Sequence, residues 1–179
     1  MTAGVPRVLV TAASRHGSTG DIAVALAQAI GIGRDVDAAV IPVGQRPDPN
    51  PFDAVVLGSA VYAGRWLEEA RDYATAHAAA LRARPLWLFS SGPIGAPPFP
   101  PDEPYDVAPL IQTLRPRGHA VFPGRLDKKL LSFGERAMVT AMRAPLGDFR
   151  DWAAVAAWGQ QILDELAGRR EGTADRVDR

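Results

Sequence analysis

The chain has 179 residues, 47% of them hydrophobic and 22% charged, with 20 basic and 20 acidic side chains and no net charge. These values suit one soluble globular domain and exclude a largely disordered chain. The absence of a basic excess speaks against a nucleic-acid binder. The absence of cysteine excludes disulfides, thiolate metal sites and thiol catalysis. The N-terminus shows no signal-peptide pattern and no stretch approaches the roughly 18 apolar residues of a bilayer span, so a cytoplasmic location is expected. Any membrane contact would then be peripheral.

The first apolar run, Arg7 to Ala12, suits a strand buried on both faces. A helical stripe follows over 19–30, with Ile22, Leu26 and Ile30 four apart. A weaker strand is expected over 36–43, a proline-enforced loop at Pro47, Pro49 and Pro51, and a strand over 53–58. Leu67, Ala70, Ala74, Ala78 and Leu81 mark a helix that ends before Pro85. A strand over 85–90, a Pro/Gly-rich loop over 92–104, a helix around 107–114 and a fifth strand over 118–123 come next. Two further helical patterns cover about 126–143 and 149–167, and the tail 168–179 lacks apolar periodicity. Strands and helices alternate, which predicts a single α/β domain over 1–167. Its five-stranded parallel sheet is doubly wound in the order 2-1-3-4-5, with an insertion after strand five. Ligands in such sheets bind at the carboxyl ends of the strands, at the switch point.

Three loops leave the sheet at that end. After strand one comes Ser14-Arg15-His16-Gly17-Ser18-Thr19, small and hydroxyl-rich just before a helix. Its amides, its hydroxyls and the helix dipole suit a phosphate, and no lysine follows the glycine as a P-loop would require. The same residues also read as a helix cap, Ser18 or Thr19 with Asp21. After strand three comes Gly58-Ser59-Ala60-Val61-Tyr62-Ala63-Gly64-Arg65-Trp66. Tyr62 or Trp66 offers an aromatic face for a flat ring. Trp66 serves equally under its own helix, and Arg65 faces either an acidic substrate or solvent. After strand four comes Ser90-Ser91-Gly92-Pro93-Ile94-Gly95, a second loop of free amides or a plain Gly-Pro turn.

The first loop resembles the phosphate loop of flavodoxins, with Ser18 where an amide side chain is common. The loop at 90–95 resembles their second flavin loop. The resemblance implies FMN, with Ser14, Arg15, His16, Gly17, Ser18 and Thr19 at the phosphate. It places Ala60, Val61, Tyr62, Gly64, Ser90, Ser91, Gly92 and Gly95 around the ring.

The segment 125–150 carries six basic and three acidic residues, against zero net charge for the chain. Leu130, Phe133, Ala137, Met138 and Ala141 fall on one helical face, so the segment suits either packing on its own domain or an anionic membrane. Asp148 is the expected N-cap of the last helix, with Asp151 in its first turn. This insertion and Gly147-Asp148-Phe149-Arg150-Asp151-Trp152 resemble the flavodoxin-domain branch that includes menaquinone-dependent protoporphyrinogen IX dehydrogenase. That likeness implies porphyrinogen oxidation in heme biosynthesis, with electrons passed to a quinone. A flavodoxin-type electron carrier and a flavin-free regulatory or binding domain of the same fold are the competing readings. No residue stands out as a catalytic acid or base, and no metal site is expected.

Overall fold

The computed structural model describes residues 4–32, 36–92 and 107–174. The elements, in chain order, are β1 (Arg7–Ala13), α1 (Ser18–Ile30), β2 (Asp37–Val40), β3 (Ala54–Tyr62), β4 (Arg65–Trp66), α2 (Glu68–Ala76) and α3 (Ala78–Arg82). They continue as β5 (Leu86–Ser91), α4 (Val107–Leu114), β6 (Gly118–Phe122), β7 (Arg125–Leu126), α5 (Phe133–Ala141), β8 (Gly147–Asp148) and α6 (Trp152–Ala174).

The main sheet has the order β2-β1-β3-β5-β6, all pairs parallel, with β4 folded back antiparallel on the end of β3. Without the short β4, this is the expected doubly wound order. Alternation along β1 explains the two layers. Val8, Val10 and Ala12 point to a core shared with α1 and α6, whereas Leu9 and Ala13 point to one shared with α2, α3 and α4. Both faces of the sheet are covered, so the strands read as continuous apolar runs rather than alternating ones. Trp87 and Phe89 of β5 and Phe122 of β6 fill the first layer. Fully burying each large apolar side chain contributes about 1.5–3 kcal/mol. The helices α1 and α6 meet at Gly159, where an added Cβ would stand 2.6 Å from the Cβ of Ala29.

Several expected boundaries move. Strand β3 extends to Tyr62, so most of the loop expected after it is strand. Ala63 and Gly64, both at positive φ, form a two-residue turn into β4. The helix expected from Leu67 to Leu81 is broken at His77 into α2 and α3. Strand β2 is shorter than expected, and Val43 starts a single 3₁₀ turn. The helix expected over 126–143 is also corrected. That segment forms β7, a turn and then the short α5, and β7 pairs antiparallel with β8. The last helix runs on to Ala174, past the expected end at 167.

Asp148 is not the cap of α6. It lies in β8, and its carboxylate accepts from Arg150 Nη2 at 2.5 Å. Asp151 does the capping, its Oδ1 accepting the Ala154 N–H at 2.9 Å. Asp151→Ala should therefore cost about 1 kcal/mol. The expected fall in Tm is roughly 2–4 °C, read by thermal melting, and Asp148→Ala should leave the helix end intact.

Candidate functional site

The carboxyl ends of β1, β3 and β5 converge on a crevice lined by Ser14, Arg15, His16, Ser18, Thr19, Ala60, Val61, Tyr62, Ala63, Ser91 and Gly92. The crevice is open on one side, and its volume is about 160 Å³. A single water needs only roughly 10–15 Å³ on that measure, so the space suits a ligand rather than isolated solvent.

The floor at one end is the β1–α1 loop. Gly17 takes φ 83° as the N-cap of α1, and no side chain caps the helix. The first-turn N–H groups of α1 have no intrahelical acceptor, and the helix dipole places partial positive charge beside them. The capping alternative fails on this geometry. Asp21 turns instead to Arg150, whose Nη1 donates to it at 2.8 Å. Ser14 Oγ is buried with no hydrogen-bond partner among the described residues, and Thr19 is 1% exposed. A buried hydroxyl without a partner is costly, and an anion held by the α1 amides would relieve it. The cradle fits a phosphate monoester. Arg15 and Arg125 line the same crevice, and their guanidinium charges with the helix dipole favour an anion there.

Against this loop Tyr62 is half-buried, with the Arg15 guanidinium 4.8 Å from its ring centroid and the His16 ring edge-on at 6.3 Å. Burial pushes the Tyr62 hydroxyl above its ordinary value, so it stays protonated at neutral pH. Ser91 and Gly92 close the opposite wall. The Gly92 N–H donates to the Phe122 carbonyl at 3.3 Å, continuing the sheet, and is thus already engaged. A Cβ on Gly92 would stand 2.7 Å from the Cβ of Val61, so only glycine permits this approach of the two loops.

Three residues singled out in the sequence sit elsewhere. Ser90 is fully buried, off the crevice, with Trp66 Nε1 donating to its Oγ at 2.8 Å and the same Oγ hydrogen-bonded with His119 Nε2 at 2.9 Å. Trp66 is 1% exposed and packs in the second core layer, which leaves Tyr62 as the aromatic face at the crevice. Gly64 makes the β3–β4 turn, and its neighbour Ala63 does the lining. Gly95 lies outside the described residues.

The segment after β6 supplies the remaining wall. Gly124, Arg125, Leu126, Met138, Val139, Met142 and Ala144 all line the crevice. This arm, residues 123–151, is tied to the β1–α1 loop and to the first turn of α1. The Arg125 backbone N–H donates to Ser18 Oγ at 3.2 Å. Arg150 bridges Asp21 and Asp148. Glu135 Oε1 accepts from Arg15 Nη1 at 3.2 Å and from His16 Nε2 at 3.1 Å. Of these lining residues, Arg125 carries a sequence signal in its charge and Met138 in the apolar face of its helix. The rest enter the site through the β7–β8 pairing, which two-residue strands do not announce.

The flavodoxin domain family matches residues 9–152. A flavodoxin from the domain Archaea superposes with a TM-score of 0.60 at 14% identity, over 90% of this chain and 99% of that one. Flavodoxin 1 from Bacillus cereus gives 0.57 at 16% identity, over 88% and 97%. A flavodiiron core from Synechocystis sp. PCC6803 gives 0.58 at 13% identity, over 92% of this chain but 37% of that one. These structural likenesses show the fold. No curated protein sequence matches the chain. With the match spanning β1 to the start of α6, the chain belongs to the flavodoxin domain family, and that membership implies FMN as its cofactor and a role in electron transfer or oxidoreduction.

Proposed function

We propose that the protein is an FMN-dependent oxidoreductase that oxidises an apolar, carboxylate-bearing substrate of the porphyrinogen kind and passes the electrons to a quinone. The observation that carries this reading is the arm. A bare electron carrier needs only an accessible flavin edge, whereas here Leu126, Met138, Val139, Met142 and Ala144 add an apolar wall beside the crevice, with Arg125 at its base. An apolar wall with a cation at one end is suited to a ring system that bears carboxylates. The resemblance of the insertion and of the Gly147–Trp152 motif to menaquinone-dependent protoporphyrinogen IX dehydrogenase supports the substrate class.

The residues divide the work by position. Ser14, Thr19 and the first-turn amides of α1 would hold the FMN phosphate, with Arg15 offsetting its charge and the His16 ring beside it. Tyr62 would lie against the ring and offer a neutral O–H donor. Ser91 and Gly92 would bound the ring on the β5 side, and the arm would exclude water and receive the substrate. Bound FMN supplies the electron-accepting chemistry. Among the described lining residues the titratable side chains are Arg15, His16, Tyr62 and Arg125, and the roles assigned to them are binding and electrostatics.

The test is anaerobic. Protoporphyrinogen IX added to the oxidised holoprotein should bleach the flavin absorbance, each flavin taking one of the three electron pairs that separate porphyrinogen from porphyrin, and a quinone should then restore the flavin spectrum and let porphyrin fluorescence rise over repeated turnovers. If the flavin is reduced by dithionite but not by the porphyrinogen, and the reduced protein delivers electrons to redox proteins, the chain is an electron carrier.

A further inference from the structure

We propose that the arm docks the protein on the surface of an anionic lipid bilayer, an inference that rests on the oxidoreductase reading only for its purpose. No described helix is long and apolar enough to cross a membrane, so the contact would be interfacial. Among the described residues, five of the eleven exposed large hydrophobic side chains fall within 130–146: Leu130, Phe133, Met138, Met142 and Leu146. Phe133 is 89% exposed, and α5 buries none of its residues. At 100° per residue, Phe133, Ala137, Ala141 and Met138 follow one another around one half of α5, and all four are exposed. Nothing among the described residues covers that half.

Charge selects the occupant. The arm's acidic groups are largely engaged within the molecule: Glu135 with Arg15 and His16, Asp148 with Arg150, and Asp127 with the Lys129 backbone N–H. Four of its six cations have no such partner. Lys128, Lys129, Arg136 and Arg143 have no carboxylate within ion-pair distance among the described residues, although Arg136 Nε donates to the Leu131 carbonyl. Arg136 lies on the polar side of α5, beyond Phe133 from the other three apolar residues, and Lys128, Lys129 and Arg143 sit in the segments flanking the helix. Cations on the polar side and at both ends of an exposed apolar half-helix match the boundary between anionic headgroups and acyl chains. A soluble anionic protein would satisfy the cations and leave the phenylalanine and methionines unexplained. The helix is also preformed, because Ser132 and Glu135 make a reciprocal cap at its start. Since Met138 and Met142 belong to both the exposed surface and the crevice wall, docking would turn the crevice mouth toward the bilayer. A lipid-soluble acceptor would then reach the site from the membrane.

Vesicle co-sedimentation tests this with no turnover required. The holoprotein should pellet with vesicles containing phosphatidylglycerol, release at high salt, and stay in the supernatant with pure phosphatidylcholine. Lys128→Glu with Lys129→Glu should weaken binding on the order of tenfold or more, and Phe133→Asp should do the same through loss of insertion. Bound flavin and Tm should stay unchanged in both variants, since the positions are exposed. Failure to pellet at low salt, or pelleting that neither variant alters, would overturn the proposal. So would a concentration-dependent dimer abolished by Phe133→Asp, which would assign the patch to a second copy of the chain. A colourless preparation marks failure of the flavin reading, whereas a yellow supernatant marks failure of docking.

Discussion

Ser14→Ala should weaken FMN binding by about 10- to 150-fold while leaving the flavin-free protein as stable as the parent. A hydrogen bond to a charged group contributes roughly 1.5–3 kcal/mol, and every 1.4 kcal/mol is tenfold in affinity. The stability half of the expectation comes from Ser14 Oγ, which is buried and without a partner. Removing an unsatisfied buried hydroxyl relieves a desolvation cost instead of creating one. Had Ser14 served only the loop, the same change would lower Tm and spare the ligand. Thr19→Ala should bring a similar loss of affinity. It should also cost some stability, because Thr19 is 1% exposed and its methyl group is packed. Fluorescence quenching gives the affinities and thermal melting gives the stabilities. Riboflavin, which lacks the phosphate, is the internal control. Its affinity should be unmoved by either change, and FAD should bind more weakly than FMN because the cradle accommodates one small anion. A fall in Tm for Ser14→Ala with FMN affinity unchanged would show that the loop is structural.

The part of this site that was legible in the sequence is the part carried by local chemistry. Ser14 to Thr19 announces itself because small and hydroxyl residues before a helix have few other uses, and β1, β3 and β5 are visible as short apolar runs. The order of the sheet follows from the alternation of strands and helices. What the sequence hid depends on the direction of side chains at strand ends. Ser90 and Ser91 are adjacent and chemically identical, yet the pleat sends Ser90 to Trp66 and His119 and leaves Ser91 at the crevice. Trp66 reads equally as a ring-stacking residue until β4 folds back on β3 and buries it. The arm was the larger loss. Its apolar spacing reads as one long helix over 126–143. The structure instead spends Arg125–Leu126 and Gly147–Asp148 on a tertiary strand pair, with only nine residues left helical. Periodicity cannot reveal that choice, because the pairing partners are about twenty residues apart and each strand is too short to carry a period. The contacts of Glu135 with Arg15 and His16 lie still further apart in sequence and have no local signature.

Those contacts support the last expectation, that Glu135→Gln frees the arm from the phosphate loop without unravelling α5. Glutamine is accepted at the third position of a capping box, so the reciprocal bonds with Ser132 survive. The charge that holds Arg15 and His16 does not. Hydrogen–deuterium exchange should show protection factors over 127–146 falling on the order of tenfold, the equivalent of about 1.4 kcal/mol in local opening, with the main sheet unaffected. The parent protein should reach the same state by acidification. Hydrogen bonds from Ser132, first through its backbone N–H and then its side chain, together with His16, hold the Glu135 carboxyl down at about 2, against an ordinary 4.5. A depressed carboxyl stabilises the folded form fully above its unfolded value, and that contribution is lost as pH falls through the folded value. The arm of the parent should therefore lose protection progressively from about pH 4.5 toward pH 2. The glutamine variant, having no carboxylate to titrate, should show no step of its own in that window. If the two proteins lose arm protection over the same pH range, some other carboxylate fastens the arm. Asp21 and Asp148, joined through Arg150, would then be its principal anchor.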